Sequence, residues 1–579
     1  MRCPCAEQSV CLMNNSVALR SNEGHSSLID KKQRLNAEVL IILISVAVHI
    51  AFFVWNLLIG GVYVDEAMTV LNARSLVENQ TDIMGEQLPV YFDTWLHGGQ
   101  SPAATYCVAL FVKLFGESLF AYRLPALIMS LLGLLAFNSF VKNVVERREE
   151  RLTFLAIAAF SPWQIFSSVY MLDCNFYPHI MMIAVTLLSK AVKGGKTKFY
   201  ILSMVFFGLS FYCYIASAII TPVFLAVLFI ILLVKKKISF KNLALSALTI
   251  FIVSLAFILF GLVTLGAIEP FSVLGFSISD MPYYTRSSSI TLNPADALVN
   301  LIFGIYIFVF PERALSSVIN SIFLYTNLVG GIFMLIGIAA ISKGIIKRQK
   351  GRGFLFKLFF SASIVSVLVF CAVSKTTFGT LYRFGVLTYF LVFFEGAGFI
   401  AFCRKVKKIN LKGLVCGFLC ASMLLFTAEF AFIYTNGLKS KMSIYGDSLF
   451  ESIEFVEEKS KKDNFTVFLG TSNMTDDIAL AERYLVYLEY YFDSNEKILP
   501  YKEQIFELTP LNEDIRNGKV GAVSNTTDGS IKCSFAENVN QITDDYNIVY
   551  SDYLNMLDYS QDYSVEDFGA WSVIYKNPE

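Results

Sequence analysis

About eleven stretches of the chain, each of roughly 17 to 25 mostly apolar residues, are long enough to cross about 30 Å of hydrocarbon. They lie near 37–60, 123–141, 152–170, 176–191, 199–215, 217–234, 242–266, 324–342, 354–373, 384–402 and 412–434, with the fourth to sixth the shortest. Composition agrees: 55% hydrophobic and 15% aromatic residues over 579 positions, with a mean hydropathy of +0.57, is too apolar for a soluble multidomain protein. The expected fold class is therefore a polytopic α-helical membrane protein.

Lys plus Arg and Asp plus Glu are equal at 47 each, so the net charge is zero, but the signs segregate along the chain. Lys31, Lys32 and Arg34 precede the first run; Lys142, Arg147, Arg148 and Arg151 follow the second; Lys193, Lys196 and Lys198 follow the fourth. Lys235, Lys236, Lys237 and Lys241 follow the sixth, "KGIIKRQKGRG" the eighth and "CRKVKKINLK" the tenth. Every second connection is basic, which by the positive-inside rule faces the cytoplasm and puts the remaining connections outside. One missed span would invert every later loop. The expected location is the cell membrane, with a cytoplasmic N-terminus.

The first 36 residues are polar and lack an apolar core, so the first run is expected to be a retained anchor and residues 1–36 a disordered cytoplasmic tail. Cys3 and Cys5 are expected to be free thiols, since no His or further Cys pair follows at metal-ligand spacing. Four histidines in the whole chain argue against a histidine-built metal centre. A divalent metal stays possible without support from the residues. Of eleven cysteines only Cys533 falls in the C-terminal segment, which excludes a disulfide within it. No nucleic-acid partner is expected.

Three outer segments exceed what a connection needs. In residues 61–122, Ala67, Val70, Leu71 and Val77 recur at helical spacing, and "SPAATYCVALFVKLFG" is apolar but short, so both are expected to be helices lying along the membrane surface. Reading 102–115 as a span would put the basic loops on alternating wrong sides. Residues 267–323, with Asp280 and Arg286, read as a solvated loop. Residues 435–579 mix a helical pattern, "SLFESIEFVEEKSKK", with strand-like "FTVFLG", "YNIVYS" and "WSVIYK", and are expected to form a small extracytoplasmic α/β domain for packing or partner recognition. The transmembrane catalytic domain then spans 37–434.

Candidate chemistry gathers on the outer side. Asp65 and Glu66 follow the first run; Asp173 lies among Tyr170, Phe176 and Tyr177 between the third and fourth; Lys375 and Arg383 flank the connection before the tenth. Charged groups at bilayer depth are costly, so they line a cavity or find a partner. Asp65 and Glu66 also suit an ordinary helix N-terminus and Asp173 a helix cap. An acid in apolar surroundings is, alternatively, suited to act as a base. Arg383 opens a run on the outer side against the positive-inside trend, which points to an anion there, and guanidinium matches phosphate in a bidentate fashion. Outward acids and cations beside surface helices suit a substrate with a lipid tail and a phosphate.

The segments "YVDEAMTVLNARSL", "GEQLPVYFDTWLHGGQSPAATYCVALFVKLFGESLFAYRLPAL", "SPWQIFSSVYMLDCN" and "YRFGVLTYFLVFFEGAG", in this order, resemble bacterial polytopic glycosyltransferases of the GT-C fold, in the clan of protein O-mannosyltransferases and the lipid A aminoarabinose transferase. The likeness spans roughly residues 38–435. It implies a polyprenyl-phosphate sugar donor, an outer-face glycan, polymer or protein acceptor, an outward active site in the lipid bilayer and inversion at the anomeric carbon. By the same resemblance Asp65 is the catalytic acid or base with Glu66 beside it, Asp173 is the second acid, and Arg383, Lys375 and Arg74 match the residues that hold the lipid phosphate. Relatives keep a charge where this chain reads Gln100, Ser101, Pro102. Other classes are a transporter or flippase of lipid-linked sugars, which would show repeated halves and interrupted helices, and a non-catalytic scaffold.

Overall fold

The computed structural model describes residues 37–58, 62, 64–83, 85–92, 99–279, 290–309, 326–327, 329–346, 353–375, 384–406 and 410–433, with parts of 451–459 and of the strands between 466 and 577. Residues 1–36, Asp280, Arg286 and Arg383 lie outside them. In chain order the first helices are α1 (Ala37–Leu58), α2 (Val64–Asn79), α3 (Pro102–Phe115), α4 (Leu119–Val144), α5 (Arg148–Ala159), α6 (Pro162–Phe166), α7 (Asp173–Gly194) and α8 (Thr197–Ser210). There follow α9 (Ser217–Val234), α10 (Phe240–Thr264), α11 (Pro294–Val309), α12 (Gly330–Ile346), α13 (Phe354–Val373), α14 (Thr388–Lys405) and α15 (Leu411–Ile433).

Each of the apolar runs is helical. Six helices among the described residues are long and apolar enough to cross a membrane: Ala37–Leu58, Leu119–Val144, Ser217–Val234, Phe240–Thr264, Phe354–Val373 and Phe384–Lys405. The third run is broken, because Pro162 has no N–H to continue α5 and instead starts α6 in its first turn. The loop reading of 267–323 needs correcting: it holds a hairpin, β1 (Phe271–Val273) with β2 (Phe276–Ile278), and then the 16-residue α11. Thr291 donates its N–H to Val373 O (2.8 Å), and Gly304 packs on Cys371, so α11 lies over the end of α13.

The bundle is ordered by which helices shed lipid. Every residue of α14 from Thr388 to Ile400 is buried. Helix α10 is at the rim, with Leu248, Phe251 and Ile252 exposed to the hydrocarbon. Helices α12 and α14 touch through glycines: a Cβ on Gly398 would lie 1.7 Å from Phe333 O. At the basic end, Lys142 pairs with Glu38 and Arg404 with Glu150, and Asn138 donates to Glu38 Oε1 (2.7 Å).

At the other end the connections knit together. Val90 donates its N–H to Ser277 O (2.9 Å) and Ser277 its N–H to Gln87 O (3.0 Å), while Tyr91 stacks on Phe260 with ring centroids 4.6 Å apart. Ala103 N–H reaches Tyr212 O at 2.9 Å. Helix α3 has 14 residues, about 21 Å at 1.5 Å per residue, too short to cross. It buries Ala104, Val108 and Val112 while exposing Leu110, Leu114 and Phe115, as a surface-lying helix does.

The C-terminal region is a six-stranded sheet in the order β5-β4-β3-β6-β8-β7, from β3 (Thr466–Phe468), β4 (Val520–Asn525), β5 (Ile531–Ala536), β6 (Tyr546–Tyr550), β7 (Tyr563–Asp567) and β8 (Trp571–Lys576). Among the described residues, only the β3–β6 pair is parallel. Helical residue Phe455 packs edge-on against Phe568 and Tyr575 at 5.4 Å.

Candidate active site

Helix α2 begins on Val64, so Asp65 and Glu66 occupy its first turn, where the helix dipole favours acids. Consecutive helical residues point about 100° apart, so the two acids cannot share an environment. Glu66 turns inward. Its Oε1 accepts from Arg123 Nε (3.1 Å) and from Met171 N–H (2.7 Å), its Oε2 from Arg123 Nη2 (2.9 Å), and both side chains are 2% exposed. Arg123 also donates to Asn56 O (3.2 Å) and lies 5.5 Å from the Tyr170 ring centre. Asn56 in turn donates to Val169 O (2.8 Å). This bidentate pair ties α1, α2, α4 and the 169–172 turn into one unit.

Asp65 is half-buried and points elsewhere. Its carbonyl accepts from Thr69 Oγ1 (2.8 Å) and from Gln100 Nε2 (3.2 Å), and the same Gln100 nitrogen donates to Thr69 Oγ1 (2.7 Å). The next residue, Ser101, directs its N–H at Asp173 Oδ2 (3.4 Å). Asp173 is the first residue of α7, again at a positive helix end. Residues 100 and 101 thus join the helix starts that carry Asp65 and Asp173. On α3, Tyr106 donates to Pro89 O (3.0 Å); burial, assisted by the Asp82 charge, pushes its phenol up, so it stays a donor.

Arg74, a candidate for holding phosphate, forms an ion pair with Glu117 (2.9 Å) and donates to Tyr122 OH (3.1 Å), which fastens α2 to the start of α4. Lys375 is exposed just past the end of α13. The structure therefore brings Asp65 and Asp173 to one frame, holds Glu66 and Arg74 in pairs, and leaves Arg383 outside the described residues. Sequence reasoning missed Arg123 and the linking role of Gln100. The signal for Arg123 was present: it opens the second apolar run on the outer side, the same anomaly that singled out Arg383.

The described residues thus form a helical bundle in which two helix starts, at the outer ends of α2 and α7, each carry a carboxylate and are joined through residues 100 and 101. Residues 99–259, from the Gln100 link through most of α10, match the model of the family described as dolichyl-phosphate-mannose-protein mannosyltransferase. No curated protein sequence matches the chain. Among solved structures, the crystal structure of ArnT from Cupriavidus metallidurans bound to undecaprenyl phosphate is similar, with 12% identity and a TM-score of 0.49 over 93% of this chain and 97% of that one. The oligosaccharyltransferase of Archaeoglobus fulgidus aligns at 13% identity and a TM-score of 0.45, over 72% of this chain and 55% of that one.

Proposed function

We propose that the protein transfers a sugar from a polyprenyl-phosphate carrier to an acceptor on the outer face of the cell membrane, with inversion at the anomeric carbon. The observation that supports this reading is the 100–101 link, inside the family-matched segment, which joins the helix start carrying Asp65 to the one carrying Asp173. The family match favours the transferase over the carrier reading. The N-terminus and basic loops face the cytoplasm, and the site and the C-terminal sheet face outward, in line with the charge alternation.

In the step, the Asp65 carboxylate takes the acceptor hydroxyl proton as the acceptor oxygen bonds to the anomeric carbon. The bond from that carbon to the phosphate oxygen breaks, and the lipid phosphate leaves with the electron pair. Asp173 stabilises the oxocarbenium-like charge or orients the acceptor. Lys375 and Arg383 neutralise the leaving phosphate, and Arg74 would add a third cation only by giving up its Glu117 pair. Glu66 acts through its Arg123 pair, which fixes the α2 turn that presents Asp65.

The test is transfer by purified protein in lipid with polyprenyl-phosphate sugars. Loss of a general base costs about 10²- to 10⁴-fold, so Asp65→Asn is expected to fall in that range. Asp173→Asn is expected to fall by about 100-fold. Correctly inserted variants that keep the full rate would overturn the assignment.

A further inference from the structure

We infer that Gln100 is a positioning residue that sets the two carboxylates in register, and that its side-chain N–H donors require glutamine rather than glutamate there. The inference rests on the transferase reading. The Gln100 backbone is fixed by a reciprocal pair with Phe92, N–H to O at 2.8 Å and the return bond at 3.1 Å. Its side-chain nitrogen spans two acceptors on the first two turns of α2, the Asp65 carbonyl and the Thr69 hydroxyl. Pro102 follows at the start of α3, with a fixed φ that leaves Ser101 little freedom in aiming its N–H at Asp173. One dipeptide thus touches both acid-bearing helix starts, and a shift in it moves them relative to each other.

The residue type matters for two reasons. Gln100 is 5% exposed, and its Oε1 has no hydrogen-bond partner among the described residues. Ser101 Oγ and Thr105 Oγ1, both 0% exposed, also lack one. A buried, unmade acceptor is destabilising, so the glutamine is kept for its donor and not for a fully satisfied environment. Glutamate has the same shape, but it would present oxygens to the Asp65 carbonyl and add a third negative charge beside Asp65 and Asp173. Replacement by glutamate therefore removes the strap without making a cavity.

The experiment uses the full chain in lipid nanodiscs and reads transfer kinetics with a polyprenyl-phosphate sugar alongside amide hydrogen exchange. For a misplacement of about 1 Å, a loss of about 100-fold in kcat is expected for Gln100→Glu, with KM for the lipid donor within about twofold. Thr69→Val is expected to follow it, and Thr69→Ser, which restores the hydroxyl, to recover most of the rate. Exchange at the amides of residues 68–72 is expected to speed by about tenfold in Gln100→Glu while the rest of the bundle is unchanged. An unaltered kcat, a loss confined to KM, or a uniform rise in exchange across the bundle overturns the inference. If the wild-type protein makes no product, the transferase reading fails, and unchanged local exchange in the variant then overturns the strap as well.

Discussion

Asp65 and Glu66 are neighbours in the chain and strangers in the fold. The 100° step between helical residues sends one to a half-buried rim and the other into a bidentate pair with Arg123. Breaking a buried ion pair by removing one partner leaves a bare charge and costs about 3–5 kcal/mol, so Arg123→Met alone is expected to lower the thermal midpoint sharply in detergent. Glu66→Gln combined with Arg123→Met removes both charges and is expected to recover part of that loss. Equal and additive losses in a double-mutant cycle would rule out the pair as a unit. The acid pair was legible as a candidate from its position after an apolar run, but which of the two carboxylates faces the rim depends on the helix phase and on where Arg123 arrives.

At the scale of elements, the helices were legible and their contacts were not. Pro162 and the Ser118 and Ser239 caps mark helix starts in the chain itself, with Ser118 Oγ accepting from Ala121 N–H at 3.2 Å and Ser239 Oγ from Asn242 N–H at 3.3 Å. Helix α11 escaped notice because its apolar residues follow a polar, turn-rich stretch that reads as loop. The glycines of α12 and α14 are ordinary in sequence, and only the crossing shows their use. A Cβ at Gly398 meets Phe333 O at 1.7 Å, whereas one at Gly417 on α15 meets nothing within 4 Å. Gly398→Ala is therefore expected to abolish the monodisperse peak in size-exclusion chromatography, and Gly417→Ala to leave it intact. A symmetrical peak from Gly398→Ala would mean that the α12–α14 approach is looser than the structure shows.

At the scale of the molecule, the charge alternation makes a prediction about sides. A single cysteine at Lys236 in a cysteine-free background is expected to react with an impermeant maleimide only from the cytoplasmic face, and one at Lys375 only from outside. Labelling of both from the same side would overturn the topology. The sequence by itself determined the class of fold, because hydrocarbon admits only helices and closed barrels, apolar runs of this length select helices, and the sidedness of lysine and arginine is a local property of each loop. It also offered a helix start as one reading of Asp65 and of Asp173, and both do lie in the first turn of a helix. Only the tertiary structure decided that residues 100 and 101 bring those two starts together, that Glu66 belongs to Arg123 and that Arg74 belongs to Glu117. Those are contacts between residues 35 to 72 positions apart, and no local preference of the chain encodes which distant partner a buried charge or amide will meet.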